Sequence, residues 1–262
     1  METKIKNLSV FINGNNKEKP ILFVHGYPYD HTMWDYQVNE LSKEYYCVTY
    51  DIRGLGESPE SDGQYTLESF IDDLESLIDE LHLEHPVLCG LSMGGYISLR
   101  AVERMENKFG AVILCDTKSM ADDDQGKLKR AAGIKTINEN GKEKFVEPFV
   151  KNCFAEKFIK ENEQKYLEVL NRSKQNSAVG LKGCLLAMAA RTDTTSYLPK
   201  ILIPTLLICG EEDKLTPPDI MKQMADQIKN SKFVVIEEAG HMTPIEKPEM
   251  VTDQIKRFLM DH

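Results

Sequence analysis

The sequence predicts a mostly parallel α/β sheet flanked by helices, with an inserted helical cap. Three observations carry this. Six short runs are apolar throughout rather than in alternation, as strands buried on both faces of a parallel sheet are. Amphipathic helical stretches separate most of them. One long interval, Met120 to about Ser196, holds helix patterns and no strand-like run.

The stretch Ile5 to Ile12, ending at Asn13-Gly14, alternates more and reads as an antiparallel edge hairpin. The six apolar runs are Ile21 to Val24, Cys47 to Tyr50, Pro86 to Cys89, Ala111 to Cys115, Thr205 to Cys209 and Phe233 to Ile236. Between the second and third, Thr66 to Leu81 places Leu67, Phe70, Ile71, Leu74, Leu77, Ile78 and Leu81 at helical spacing, with Thr66 suited to the N-cap. Pro248 to Met260 forms the last helix, its proline fitting the first turn. The long interval divides into helical segments at Gly126 to Ile137, Lys142 to Phe154, Glu156 to Leu170 and Ser177 to Ala190. A structureless loop of that length is implausible in a compact domain. The expected division is therefore a core of residues 1–119 and 197–262 with a cap at 120–196. Inserted between two strands, the cap would overhang the carboxyl ends of the sheet, where open α/β sheets bind ligands.

Charge and composition narrow the function. A net charge of −10 argues against nucleic acid as partner, because phosphates would be repelled. No N-terminal apolar stretch resembles a signal peptide and no run approaches a membrane span, so no membrane partner is expected. The six cysteines lie far apart with no Cys-x-x-Cys pair. Cys47, Cys89, Cys115 and Cys209 fall inside apolar runs, where free cysteine acts as a small hydrophobe. A reducing, cytoplasmic setting is expected. No metal-ligand spacing appears among the six histidines, and neither a metal nor a cofactor is expected.

The chemistry centres on Ser92. It follows the apolar run Val87-Leu88-Cys89 in Gly90-Leu91-Ser92-Met93-Gly94, a sharp strand-to-helix turn that would project its hydroxyl in a strained conformation. Gly90 and Gly94 stand where side chains would collide. A serine nucleophile needs a base and an orienting acid, in the chain order Ser, Asp or Glu, His. His241 lies just beyond the last strand, and Asp213 just beyond the one before, so all three leave strand ends on one rim. Glu211 and Glu212 are rivals for the acid, more suited to solvent or to capping the next helix. Asp116, at the end of the Ala111 to Cys115 run, is another. Asp213 is preferred, because the following Leu215-Thr216-Pro217 supplies a turn that would hold it. The oxyanion donors expected are the backbone N–H of Met93 and that of Tyr27, in the turn His25-Gly26-Tyr27-Pro28. His25 is expected to hydrogen-bond within its loop.

Together, His25-Gly26, Asp51-x-Arg53-Gly54-x-Gly56-x-Ser58, Gly90-Leu91-Ser92-Met93-Gly94-Gly95, Gly210-x-x-Asp213-x-x-Thr216-Pro217 and Gly240-His241 resemble the α/β-hydrolase superfamily from about residue 20 onward. Within it, Cys115-Asp116-Thr117 and Ala189-Ala190-Arg191-Thr192-Asp193 are similar to small bacterial carboxylesterases and the 3-oxoadipate enol-lactonase-like group. The resemblance implies an α/β-hydrolase fold and a serine hydrolase that cleaves small-molecule esters through an acyl-serine. Lactone opening at the same site is the alternative. Ser92, in place of the aspartate of dehalogenases and epoxide hydrolases, points to acyl transfer. Cofactor-free perhydrolases share the Ser-Met-Gly-Gly turn, which leaves a peroxide-dependent side activity open. A ligand sensor that keeps the fold is a third reading. Asp51, Arg53, Gly54 and Gly56 read as a structural loop. Arg191 and Asp193 read as pins between cap and core, with a substrate carboxylate on Arg191 as the alternative.

Overall fold

Eight strands form one sheet in the computed structural model, which describes all 262 residues. They are β1 (Glu2–Ile5), β2 (Leu8–Asn13), β3 (Pro20–Val24), β4 (Tyr46–Tyr50), β5 (Val87–Leu91), β6 (Ala111–Cys115), β7 (Thr205–Gly210) and β8 (Ser231–Ile236). Their spatial order is β1-β2-β4-β3-β5-β6-β7-β8. β2 pairs antiparallel with both β1 and β4, and the sheet is parallel from β4 to β8 in that spatial order. β5, β6 and β7 are buried at every residue, as their unbroken apolarity requires.

Both ends of the sheet refine the sequence reading. The N-terminal hairpin turns at Lys6-Asn7, not at Asn13-Gly14. Both residues have positive φ (48° and 72°), and Ile5 pairs with Leu8, the geometry of a two-residue type I′ turn. At the other end, Phe233 to Ile236 is not buried on both faces. Only Ile236 of β8 is buried, because the strand pairs with β7 alone and closes the sheet.

Helices flank the sheet: α1 (Asp35–Leu41), α2 (Leu67–Glu80), α3 (Met93–Met105), then α4 (Asp124–Asn140), α5 (Glu143–Cys153), α6 (Glu156–Glu161), α7 (Glu163–Gln175) and α8 (Ala178–Ala189), and finally α9 (Pro218–Ala225), α10 (Thr243–Glu246) and α11 (Pro248–Met260). Thr66 caps α2 by accepting from the Ser69 N–H, while the Ser69 hydroxyl accepts from the Thr66 N–H. Gln37 of α1 donates to the Pro244 carbonyl at 3.1 Å, tying α1 to α10.

Helices α4 to α8 form an insert between β6 and β7. α4 starts two residues before the expected Gly126, because the Asp123 side chain caps it through the Gly126 N–H at 2.7 Å. The single helix expected over Glu156 to Leu170 is two, broken at Asn162 (φ −129°, ψ 43°), a residue that readily leaves helical geometry. The insert docks through Asn176, whose amide donates to the Pro28 carbonyl and accepts from the Gly56 N–H, both at 2.8 Å. Arg172 of α7 pairs with Asp30 at 3.1 Å. One apolar core runs from the sheet into the insert, and all six cysteines are free and buried in it. No helix is long and apolar enough to cross a membrane.

The tightest packing lies where β5 turns into α3. A Cβ on Gly94 would sit 2.2 Å from the Val24 carbonyl oxygen, and one on Gly90 would sit 2.4 Å from the Gly94 carbonyl oxygen. Both obstacles are backbone and neither can swing aside. Gly94→Ala is therefore expected to cost about 2 to 3 kcal/mol in urea unfolding, the scale of overpacking a rigid site. An unchanged midpoint would show that β3 and α3 can separate freely.

Candidate active site

Ser92 joins β5 to α3 with φ 53° and ψ −111°, a conformation that costs roughly 1–3 kcal/mol and persists only where the surroundings impose it. They do. The Ser92 N–H donates to the Cys115 carbonyl at 3.0 Å, continuing the β5–β6 ladder. Its carbonyl accepts from the Tyr96 N–H at 3.0 Å and from the Thr117 hydroxyl at 2.8 Å.

His241 lies in the loop after β8, and its N–H donates to the Cys153 carbonyl at the end of α5, at 2.8 Å. Its Nδ1 meets Asp213 Oδ2 at 2.8 Å, and both side chains are buried. Asp213 also accepts from the N–H groups of Leu215 (2.8 Å) and Thr216 (3.0 Å) and from the Thr216 hydroxyl (2.6 Å). Burial opposes ionisation here, but His241 and Thr216 outweigh it and hold the Asp213 carboxyl at about 2. Ser92 and His241 both line a cavity of about 520 Å³, within the range of small-ligand pockets. Tyr27, on the loop after β3, lines it too. The Tyr27 N–H has no acceptor in the protein, and Met93 opens α3, where first-turn N–H groups lack intrahelical partners.

A family model described as the alpha/beta hydrolase fold matches residues 19–248. The chain belongs to that family. The α/β-hydrolase assignment is supported by a 3-oxoadipate enol-lactonase from Acinetobacter baylyi, 31% identical over 93% of this chain and 90% of its own. A malate-bound thermophilic esterase from Thermogutta terrifontis superposes with a TM-score of 0.95 at 33% identity, covering 100% of this chain and 98% of that one. An esterase from Exiguobacterium antarcticum gives 0.89 at 25% identity, covering 99% of this chain and 100% of that one.

The remaining polar residues of this α/β-hydrolase sort by their contacts. Asp116 makes no hydrogen bond to His241. It accepts from the Gly210 N–H at 2.8 Å and the Thr243 hydroxyl at 2.5 Å, bracing the end of β7 against the start of α10. Burial and the neighbouring Asp213 push its pKa well up. Asp116, Cys209 and Asp213 place potential ligand atoms within 4.8 Å of one another, yet every carboxylate oxygen among them already accepts a hydrogen bond. Glu211 accepts from the Glu238 N–H, and both Glu211 and Glu212 are exposed. Both ring nitrogens of His25 are engaged, Nδ1 with the Gly26 carbonyl and Nε2 with the Ile52 N–H. Asp51 accepts from the His31 and Glu57 N–H groups, and Arg53 pairs with Asp73. Arg191 donates to the carbonyls of Met188 (2.8 Å) and Met120 (2.6 Å), and Asp193 accepts from the Ala121 N–H. The two residues therefore pin the ends of the insert to one another.

Sequence reasoning did not single out Glu246. Its Oε1 accepts from the N–H groups of Gly240 and Met242, on either side of His241, both at 3.1 Å. Its Oε2 accepts from the Ala155 N–H of the insert at 2.9 Å. One buried carboxylate thus ties the histidine loop to the insert. The available signal was only an acidic residue a few positions after His241, which reads equally as a helix-start charge.

Two outcomes follow from these contacts. Glu246→Ala leaves three buried N–H groups without acceptors and should cost about 3 kcal/mol or more in urea unfolding, with Glu246→Gln costing less because one acceptor oxygen remains. A loss within about 0.5 kcal/mol for the alanine variant would mean that water replaces the carboxylate. The folded-state carboxyl of Asp213 is lowered from 3.8 to about 2, so its stabilisation is full above the unfolded value and is lost as pH falls through the folded one. Unfolding free energies should drop about 2 kcal/mol further in the native chain than in Asp213→Asn between about pH 4 and about pH 2. Parallel curves would remove the ion pair as a source of stability.

Proposed function

We propose that this chain hydrolyses carboxylic esters through an acyl-Ser92 intermediate. The observation that carries the reading is the 2.8 Å bond between buried Asp213 and His241 Nδ1, with His241 and Ser92, on its strained turn, lining one cavity. Esterase relatives at 25–33% identity support it.

In this reading Ser92 Oγ attacks the ester carbonyl and gives its proton to His241 Nε2. The negative charge on the carbonyl oxygen meets the N–H groups of Met93 and Tyr27. The His241 imidazolium, stabilised by ionised Asp213, passes the proton to the departing alkoxide, and the C–O bond breaks. Water then enters, loses a proton to His241 and attacks the acyl carbon. Collapse of the second tetrahedral species releases the acid and returns the proton to Ser92. Asp213 holds the ring tautomer throughout and never takes the proton. The helical insert, residues 120–196, acts as the lid: Phe145, Phe149, Leu185 and Met188 of α5 and α8 contribute apolar wall to the cavity.

Lactone opening is the second reading, favoured by the 31% identity to an enol-lactonase. The steps are the same, except that the leaving alkoxide stays tethered to the acyl group.

A fluorophosphonate probe should label the native chain, and labelling should vanish in Ser92→Ala and His241→Ala. Turnover of short p-nitrophenyl esters should fall by about 10⁴-fold or more in Ser92→Ala and by roughly 10³- to 10⁴-fold in Asp213→Asn. Folded native chain that takes up no label would sink the catalytic reading and favour a ligand sensor. Faster turnover of enol-lactones than of any open-chain ester would move the assignment to the second reading.

A further inference from the structure

The cavity that holds Ser92 carries cations that ester hydrolysis does not use. Lys118, Lys129 and Arg130 line it, against Asp122 and Asp123. Asp122 is buried and lies among three positive groups: Arg191 at 2.9 Å, Arg130 at 3.0 Å and Lys118 at 3.6 Å. Burial opposes its ionisation, but Arg130 and Arg191 overcome that and hold the carboxyl below its ordinary value. One cation suffices to neutralise one carboxylate. Asp123, which caps α4, adds a second negative charge, so the lining carries three cations against two carboxylates, with Arg191 a fourth cation behind them.

The three cations differ in what they can reach. The Arg191 side chain is 2% exposed, lies 4.2 Å over the Tyr96 ring, pairs with Asp122 and donates to two backbone carbonyls; its Nε has no partner, but the residue does not line the cavity. Arg191 therefore supports the cavity wall from behind, and the groups that face the cavity are Lys118, Lys129 and Arg130. Lys118 and Arg130 keep 23% and 18% of their side-chain surface and line the cavity. Burial, together with repulsion from Arg191, draws the Lys118 pKa down, as expected where positive charge is left uncompensated. This surplus stands out in a chain of net charge −10. A second observation points the same way. The Tyr27 hydroxyl is buried without a hydrogen-bond partner, and Tyr27 lines the same cavity. A buried donor of this kind calls for an acceptor supplied from outside.

We propose that Lys118 and Arg130, assisted by Lys129, form an anion subsite, and that the ester consumed at Ser92 carries a second, free carboxylate. A hemi-ester of a dicarboxylic acid is the simplest such substrate; water cleaves its one ester bond to give the diacid and the alcohol. The proposal rests on the hydrolytic reading of Ser92 and adds the chemical class of what it cleaves. The guanidinium of Arg130 can meet a carboxylate with parallel N–H donors, while Lys118 supplies a point charge.

The test compares monoethyl glutarate with ethyl pentanoate, which has the same acyl length without the charge. The native chain should favour the anionic ester by about tenfold or more in kcat/KM at low salt, and the preference should shrink as salt is added. Lys118→Gln and Arg130→Gln should each lower the ratio of the two rates several-fold, with Lys118→Gln the cleaner variant because it leaves the Arg130–Asp122 pair intact. Calorimetric binding of both esters to Ser92→Ala gives the same comparison without turnover. Equal or inverted preference in both measurements overturns the anion subsite. Fluorophosphonate labelling keeps the two proposals apart. Labelled protein without anionic preference loses only the subsite, whereas anionic preference in binding without labelling loses only the hydrolysis.

Discussion

The close approach of α3 to the end of β3 is the constraint on which the site depends. Gly94 lies against the Val24 carbonyl so tightly that no side chain fits between them. That contact sets where the first turn of α3 begins. The β5–β6 ladder sets where β5 ends. Ser92 has to bridge the two in a single residue, and φ 53° is the result. The strain at Ser92 is offset by the rigidity of the parallel sheet around it, whose central strands are buried at every residue. Tyr27 lies three residues beyond the end of β3, just after Gly26, which packs against Ser92, so the same contact brings it to the rim that carries Ser92.

Buried carboxylates do the rest of the positioning, and their partners give each a different task. Asp213 faces His241 and a set of N–H and O–H donors, which keep it ionised. Asp116 lies buried near Asp213 and is driven toward its neutral form while bracing the end of β7. Glu246 accepts three backbone N–H bonds and makes the histidine loop continuous with the insert. Asp122 anchors a knot of cations at the cavity wall. The buried carboxylates therefore fall into two separate charge networks. The first belongs to the strand ends, and the second joins the insert to the loop that leads into it.

The strands and the order of their loops were legible because the information is local. A strand buried on both faces must be apolar throughout, and a sharp strand-to-helix turn must admit glycines on either side of the serine. Thr66 and the apolar stripe after it announced α2 for the same reason. Local reasoning failed where context decided. Phe233 to Ile236 has the composition of an inner strand but lies at the sheet edge, so most of it is not buried. The helix expected from Glu156 to Leu170 breaks at Asn162, where its apolar spacing gave no warning.

By itself, then, the sequence determined the fold class and the placement of Ser92, Asp213, His241 and the Tyr27 loop along one rim of a parallel sheet. These follow from patterns only a few residues long, which the chain must satisfy before any distant part of it arrives. The tertiary structure brings Asp213, the acid preferred from sequence, to His241, and it alone decided which residues crowd the cavity with positive charge. It also decided that Glu246 grips Ala155, across 91 residues of chain. A hydrogen bond or ion pair between distant segments leaves no periodicity in either one. Its energy depends on distance, orientation and exclusion of water, and those exist only once the chain has folded.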